Sequence, residues 1–188
     1  MMNDLISPYD MQWFRKPAMY TMDSEKLTIE TEPQTSFHAL AYDSTEAFGM
    51  IYPGKTSFVF SARMDYAFRG VKDECGLILK RDNTHWAKVS VENREDGLDL
   101  TCTVYADGYG DRSCREVSEG IRWIYFKILY WNGNVRFQYS FNGDKFSDMR
   151  WLHIADSDET PSPGIYACSP GSSWYDCTFS DIRMRDIF

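Results

Sequence analysis

One predicted strand carries the residues best suited to bind a ligand. Trp86, Lys88 and Glu92 are separated by even spacings, and alternate side chains of a strand point to the same face, so these three lie together. The indole ring could stack on the apolar face of a pyranose, while the ammonium and carboxylate could hydrogen-bond its hydroxyl groups. The structural alternative is an ion pair on the sheet surface beside a tryptophan that covers the sheet. The spacing leaves both interpretations open.

Further polar residues could extend this face. Asp111 and Arg112 lie in a polar stretch after the strand 98–105, and Arg150 lies in a weaker predicted strand. The alternative is that these side chains only solvate the outer face of a sheet. The predicted ligand-binding set is Trp86, Lys88, Glu92, Asp111, Arg112 and Arg150. No residue is assigned a catalytic or metal-binding role.

Catalytic patterns are weak by comparison. Glycoside hydrolysis needs two carboxyl groups that flank the scissile bond. Glu92 and Glu95 are three residues apart, so a strand would send them to opposite faces. The sequence contains no Gly-x-Ser-x-Gly motif. We therefore expect a non-catalytic protein, and the alternative of an enzyme acting on a sugar requires two carboxylates brought together from different strands.

Metal-binding patterns are equally weak. His38, His85 and His153 are isolated, and the five cysteines have no C-x-x-C spacing, whereas zinc sites use closely spaced ligands. The acidic stretches 107–111 and 156–159 could hold calcium, but neither matches an EF-hand loop. Solvated loops are the simpler interpretation, and we expect no metal and no other cofactor.

Alternating apolar and polar residues predict the strands that position the candidate side chains. Asp-Gly and Asn-Gly pairs between these strands are typical of hairpin turns. The clearest strands are 56–65, 85–92, 98–105, 124–130 and 135–141. Weaker strands are predicted near 26–30, 35–42, 74–81, 149–154, 164–168 and 176–185, with long polar loops at 106–119 and 155–163. Many short strands without a long helix indicate an all-β sandwich or barrel.

Composition and charge narrow the possible partners. A chain of 188 residues fits one domain, here 1–188 with residues 1–8 as a loose N-terminal segment. The net charge of −8 disfavours nucleic acid and an anionic membrane surface. The N-terminus has no signal-peptide pattern, and no apolar run approaches the ~18 residues of a membrane span. The five cysteines lack C-x-x-C spacing, which indicates a reduced, cytoplasmic protein. The sequence does not indicate an oligomeric state.

A series of short motifs, in order, resembles a known family. The motifs are Trp13, Pro17, Leu27-x-Ile29, Thr35-Ser36-Phe37, Gly76-Leu77, Trp86-x-Lys88, Glu92, Asp111-Arg112-Ser113, Tyr139-Ser140-x-Asn142-Gly143, Arg150, the run from Gly164 to Pro170, and Phe179. They resemble the concanavalin A-like family of unknown function that includes the fungal "regulation of enolase" protein. The resemblance implies a jelly-roll sandwich of two antiparallel sheets, and it implies no activity.

The sequence also departs from that family pattern. Ser36, His38 and Arg112 stand where the family tends to have Asp, Trp and Trp, so a family-wide site is altered in this chain. The first functional hypothesis is a binding module for a carbohydrate or sugar-like metabolite on the concave sheet. The second is a regulatory or structural domain that contacts another protein, because an aromatic patch rimmed by charge suits that role equally well.

Overall fold

Fourteen β-strands make up almost all of the regular structure in the described part of the chain. The computed structural model describes residues 4–37, 47–154 and 159–187. A short 3-10 turn, Pro8–Asp10, precedes the first strand. The strands are β1 Gln12–Arg15, β2 Tyr20–Met22, β3 Lys26–Glu30, β4 Phe48–Ile51, β5 Ser57–Tyr66, β6 Glu74–Lys80, β7 His85–Asn93, β8 Leu98–Ala106, β9 Tyr109–Val117, β10 Trp123–Trp131, β11 Asn134–Ser140, β12 Ser147–His153, β13 Ser162–Cys168 and β14 Asp176–Arg185.

The strands form two antiparallel sheets of seven strands each. The first sheet has the order β1-β4-β13-β6-β7-β8-β9, and the second has the order β12-β11-β10-β5-β14-β3-β2. Both sheets mix strands that are distant in sequence, so the chain crosses repeatedly between the layers. The predicted sandwich of two antiparallel sheets is confirmed.

The core lies between the sheets and follows the two-residue period of the strands. From the second sheet, Phe58, Phe60 and Met64 are fully buried, and Val89 and Val91 face them from the first sheet. Each such side chain contributes roughly 1.5–3 kcal/mol when it leaves water. Because one face of every central strand is committed to this core, alternate residues such as Trp86 and Lys88 must point outward.

Two hairpin turns explain why the register is well defined. Asn132-Gly133 and Asp107-Gly108 all have positive φ angles, which two-residue hairpin turns require and which Asn, Asp and Gly adopt most readily. The first turn joins β10 to β11, and the second joins β8 to β9. The predicted hairpin from 85–92 to 98–105 is also present, as β7 and β8.

The predicted loop 106–119 is wrong. Residues Tyr109–Val117 form β9, which pairs along its whole length with β8. Its first eight residues are exposed on both faces, so the strand lacks the apolar alternation that would have revealed it. The short strands β1, β2 and β4 were also missed. The predicted strand 35–42 and the predicted loop 155–163 lie partly outside the described residues.

The described part of the N-terminal segment is attached to the second sheet. Leu5 pairs with Arg183 in an isolated bridge, and the Ile6 amide donates to the Ile182 carbonyl at 2.9 Å. The Met184 amide donates to the Asp4 carbonyl at 2.8 Å. Residues 4–6 therefore lie along β14, where the sequence suggested a loose segment.

Candidate functional site

Cross-strand register gathers polar residues on the outer face of the first sheet. Lys88 of β7 lies opposite Thr103 of β8, which in turn lies opposite Arg112 of β9. Glu74 of β6 lies directly opposite Glu92 of β7. Directly opposed residues have Cβ atoms ~4.5–5.5 Å apart, so five charged or polar side chains from four strands meet on one surface.

A segment at residues 31–37 covers part of this surface. The Thr35 amide donates to the Ser169 carbonyl, and the Ser169 amide donates to Thr35 Oγ1, both at 3.0 Å. The Thr31 hydroxyl contacts Ser169 Oγ at 2.7 Å, and it accepts from the Tyr175 amide at 2.9 Å. These bonds fix the segment so that Phe37, only 2% exposed, lies over the sheet.

Trp86 is buried beneath this cover. Its ring stacks on Tyr105 with centroids 5.2 Å apart, and Phe37 meets it edge-on at 4.5 Å. Only 5% of Trp86 is exposed, and it belongs to a small apolar cluster on the outer face. The outward orientation predicted for Trp86 is correct, but its predicted role as a sugar-stacking platform is not available in this arrangement, because Phe37 and Tyr105 occupy its faces.

A buried ion pair lies next to this aromatic cluster. Lys88 Nζ donates to Glu74 Oε1 and to the Phe37 carbonyl, each at 2.7 Å. The same carboxylate oxygen accepts from Ser90 Oγ at 2.7 Å and from the Tyr166 hydroxyl. The side chains of Lys88 and Glu74 are each 6% exposed. A buried charge pair requires such additional hydrogen bonds to offset its loss of hydration.

The two glutamates differ in their electrostatic surroundings. Burial acts to raise the pKa of the Glu74 carboxyl, but the Lys88 ammonium and the three hydrogen bonds outweigh it and lower that pKa. Burial raises the pKa of Glu92, and the neighbouring Glu74 carboxylate raises it further, against the opposing effect of Arg112. Glu74 is thus held ionised, whereas Glu92 binds a proton more readily than a free glutamate.

A pocket of about 250 Å³ opens above this charged group. It is lined by Phe37, Lys72, Glu74, Lys88, Glu92, Thr103, Arg112 and Pro170. Arg112 donates to Glu92 Oε2 at 3.2 Å on one wall. Lys72 reaches the pocket from a turn in which Asp73 Oδ2 accepts the Arg69 and Gly70 amides at 2.8 and 2.7 Å.

The structure divides the six predicted site residues into two groups. Lys88, Glu92 and Arg112 line the pocket, with Trp86 buried beside them. Asp111 points to the inner face of the first sheet, where Arg150 of β12, in the second sheet, donates to Asp111 Oδ2 at 2.5 Å. Because Asp111 and Arg112 are neighbours within the strand β9, they must point to opposite faces.

Five lining residues were not predicted from the sequence, namely Phe37, Lys72, Glu74, Thr103 and Pro170. Glu74 begins the largely apolar run of β6, which gave no sign of a charged partner for Lys88. Lys72 and Thr103 belong to a turn and to a strand without a distinctive motif. Phe37 and Pro170 lie within motifs that carry the family resemblance, and that was the available signal.

Of the two acidic stretches, 107–111 forms the β8–β9 turn and the start of β9. Asp107 contacts His85 Nε2 at 2.9 Å, and 156–158 lie outside the described residues. Among the residues that the structure describes, no group of three or more His, Cys, Asp or Glu side chains is placed to hold a metal ion. Within that same part of the chain, no helix is long and apolar enough to cross a membrane.

The outer face of the second sheet is also polar, and no described segment covers it as 31–37 covers the first. Arg63 donates twice to Asp65, at 2.8 Å each, and its guanidinium lies 4.2 Å from the Trp123 ring centroid. Along the same face, Trp151 is 59% exposed and meets Trp131 edge-on at 5.8 Å. A broad groove near Arg63 has a volume of about 840 Å³.

Comparisons with known proteins agree with this architecture. "Regulation of enolase protein 1" of Saccharomyces cerevisiae is 26% identical over 172 residues, which cover 90% of this chain and 86% of that protein. A crystal structure of a functionally unknown protein from Saccharomyces cerevisiae superposes with a TM-score of 0.87 at 21% identity, covering 96% and 98% of the two chains.

More distant solved structures share the fold alone. The GH43 protein BlXynB of Bacillus licheniformis matches with a TM-score of 0.75 at 14% identity, over 98% of this chain but 38% of that one. The exoplasmic/lumenal domain of VIP36, in a Ca²⁺/Man3GlcNAc-bound form, matches with a TM-score of 0.60 at 8% identity, over 98% and 88% of the two chains. These neighbours confirm the concanavalin A-like sandwich. The family model described as "Protein of unknown function (DUF1349)" matches residues 13–187, and the chain therefore belongs to that family.

Proposed function

We propose that the protein is a binding module for a small sugar-like metabolite, held in the pocket on the outer face of the first sheet. The observation that carries this proposal is the lining of the pocket, where three cationic side chains and two carboxylates converge on about 250 Å³. This volume is just below the ~300–1,000 Å³ common for ligand sites, so it suits a small ligand with one sugar ring. The fold relationship to sugar-binding proteins supplies the scaffold only.

The charge of the pocket indicates the class of ligand. Lys72, Lys88 and Arg112 outnumber Glu74 and Glu92 by one positive charge, although the whole chain carries −8. Sugar acids and sugar phosphates combine hydroxyl groups with one anionic group, and they complement this lining. Arginine and lysine would pair with the anionic group, and the carboxylate of Glu92 would accept hydrogen bonds from hydroxyl groups.

The buried ion pair would hold the pocket in its binding geometry. Lys88 has three N–H donors, of which two bond Glu74 and the Phe37 carbonyl, and the third can meet a ligand. Because these contacts exist before binding, little side-chain freedom is lost when the ligand enters. Phe37 supplies the apolar wall that the sequence reasoning had assigned to Trp86.

A thermal-shift screen with a matched pair of variants tests the proposal. The panel contains glucose, glucuronate, glucose 6-phosphate and their galactose counterparts. A ligand at ~100 times its Kd stabilises the fold by about 2.7 kcal/mol, which for this size is a rise in Tm of ~5–11 °C. Arg112→Gln should reduce affinity by about tenfold or more, as expected for losing a charged hydrogen bond.

The control is Arg115→Gln, which makes the same change of charge on the same strand. Arg115 points to the other face, where it donates to the Tyr139 hydroxyl at 3.3 Å. Equal loss of binding in both variants, or no shift by any compound, would contradict the proposal. The second result would favour a protein partner, for which the exposed Trp151 on the opposite face is the stronger candidate surface.

A specific observation also favours hydrolysis of a sugar as a second candidate function. The structure places Glu74 and Glu92, from neighbouring strands, opposite each other in one pocket, which is the condition the sequence left open. A pair with one readily protonated and one ionised carboxyl group is the arrangement of glycosidases. Release of nitrophenol from nitrophenyl glycosides by the wild type, but not by Glu92→Gln, would support this function. Without such release, the binding module stands as the only proposal.

A further inference from the structure

The last strand of the first sheet presents a long, regular edge. β9 pairs on one side with β8 through all nine of its residues, without a register shift. No described strand pairs with its other side. An edge of this length leaves backbone N–H and C=O groups facing outward, and proteins commonly protect such edges with charged side chains, proline, bulges or short strands. β9 has no proline or bulge and is nine residues long, so four charged side chains are its protection, and a partner strand with complementary charges can neutralise them.

The charges of β9 are arranged almost symmetrically about its centre. Asp111 and Arg112 are followed by the neutral Ser113 and Cys114, and then by Arg115 and Glu116. Read in either direction, the order is negative, positive, two neutral residues, positive, negative. A second copy of the strand, running antiparallel, would therefore present the same order of charges.

Strand geometry decides which of these charges would meet. Residues that lie opposite each other in antiparallel strands point to the same face of the sheet, whereas neighbours along one strand point to opposite faces. In a symmetric pair of β9 strands, one residue must therefore lie opposite its own copy. A two-fold axis between Ser113 and Cys114, which would place like charges opposite each other, is excluded because it would pair residues of opposite faces. Pairing centred on Ser113 sets Asp111 opposite Arg115 of the second copy. Pairing centred on Cys114 sets Arg112 opposite Glu116 of the second copy.

We infer that β9 is a self-association edge, through which two copies of the chain join their first sheets into one continuous sheet. Both central registers form two opposite-charge pairs, and opposite charges directly across a strand pair are stabilising. The charged groups are accessible for this role, since the side chains of Asp111, Arg112 and Glu116 are 72%, 45% and 68% exposed. A single strand pair is a small interface, so we expect a concentration-dependent dimer.

Self-association would also change the rim of the pocket. Arg112 belongs both to β9 and to the pocket lining. In the register centred on Cys114, Glu116 of the second copy would approach Arg112 and compete with Glu92 for its guanidinium. This consequence adds to the proposed function, whereas the association itself does not depend on it.

Chemical cross-linking provides a direct test, because Cys114 is the exposed cysteine and the other four are buried. In either register the two Cys114 Cβ atoms would be ~4.5–8 Å apart, as opposite or diagonal neighbours. A short bis-maleimide should therefore give a covalent dimer from the native wild type. Cys114→Ser should abolish it, and sedimentation should show dimer increasing with concentration.

Charge-reversed variants distinguish this edge from other surfaces. D111R/E116R makes the edge wholly basic, and R112E/R115E makes it wholly acidic, so each alone should lose the cross-link. Their equimolar mixture should restore it, as a heterodimer. D10R/E25R, which makes the same charge change at exposed positions outside β9, should cross-link like the wild type. Thermal melting of each variant establishes that it is folded.

Two results would overturn the inference. One is a wild type that sediments as a monomer at every concentration and gives no cross-linked dimer. The other is cross-linking that persists in both folded single-sign variants, since the contact would then not be made by β9.

Discussion

The outer faces of the two sheets hold similar ion pairs in different surroundings. On the first sheet, Lys88 and Glu74 are each 6% exposed and share their hydrogen bonds with Phe37, Ser90 and Tyr166. On the second sheet, Arg136 and Asp148 are in contact at 2.5 Å but are 31% and 41% exposed. The difference is the covering segment 31–37, which removes one pair from water and has no counterpart over the other pair among the residues that the structure describes.

Burial changes what each pair contributes. An exposed pair gains little because water solvates its members almost as well when they are apart. A buried pair gains little by forming but costs a great deal to break, since the remaining charge is left without water or partner. On the outer face of the first sheet the charged groups are thus held in fixed positions, as a binding pocket requires. On the outer face of the second sheet they can rearrange.

The largest effect is expected from breaking the buried pair. Lys88→Ala should lower the free energy of unfolding by about 3–5 kcal/mol, because the buried Glu74 would be left without its counter-charge. Arg136→Ala should lower it by no more than about 1 kcal/mol. Urea denaturation at neutral pH measures both. Equal effects in the two variants would show that the covering segment does not exclude water from the first face.

A pair of tryptophan variants sharpens the same comparison. Trp86→Ala should cost about 3 kcal/mol, since it empties a space between Phe37 and Tyr105. Trp151→Ala should change stability by about 0.5 kcal/mol, because most of that side chain is already in water. Thermal unfolding of the two variants separates these values. If Trp86→Ala instead has the same melting temperature as the wild type, the Trp86 ring is exposed in the native protein and is free to stack on a sugar.

The smallest effect concerns pH. The pKa of Glu92 is raised in the folded state, so its contribution to stability is present below its ordinary pKa of 4.5 and is lost as pH rises through the folded value. Glu92→Gln, which stays neutral, should therefore stabilise the protein at pH 7 by about 0.5 kcal/mol. That gain should vanish below pH 4.5, as urea denaturation across pH would show.

Asp148 on the second face should respond in the opposite sense. The hydrogen bond from Arg136 lowers the pKa of Asp148 from 3.8 to about 2. Its stabilising effect is present above pH 3.8 and is lost as pH falls towards 2. Asp148→Asn should thus destabilise at neutral pH, and the difference from wild type should fade in acid. A gain in stability at pH 7 would contradict this assignment.

The alternation of apolar and polar residues was sufficient to predict the core strands, but it did not predict that segment 31–37 covers Trp86. Ala87, Val89 and Val91 alternate with Trp86 and Lys88, and this period alone fixed which residues face outward. Nothing near Trp86 in sequence indicates that Phe37 lies on it, because that contact depends on the bonds between segment 31–37 and Ser169. The face to which Trp86 points was predicted correctly, but the prediction that Trp86 is exposed was wrong.

The remaining errors have similar physical causes. Glu74 stands at the start of an apolar strand, and its partner Lys88 lies on the neighbouring strand, so only register brings them together. β9 is polar on both faces because it is an edge strand. Its sequence therefore lacks the alternation of apolar and polar residues, and it was predicted to be a loop. Assigning a loop allowed Asp111 and Arg112 to be grouped, whereas a strand separates them.

Backbone amide NMR during titration with glucose, glucuronate and glucose 6-phosphate tests whether the pocket on the first sheet binds a sugar-like ligand. At least one compound, at up to millimolar concentration, should shift the amides of Lys72, Glu74, Lys88, Glu92, Thr103 and Arg112, and Arg112→Gln should weaken the response. Shifts confined to the groove around Arg63 and Tyr125 on the second sheet, or no shift with any compound, would contradict it.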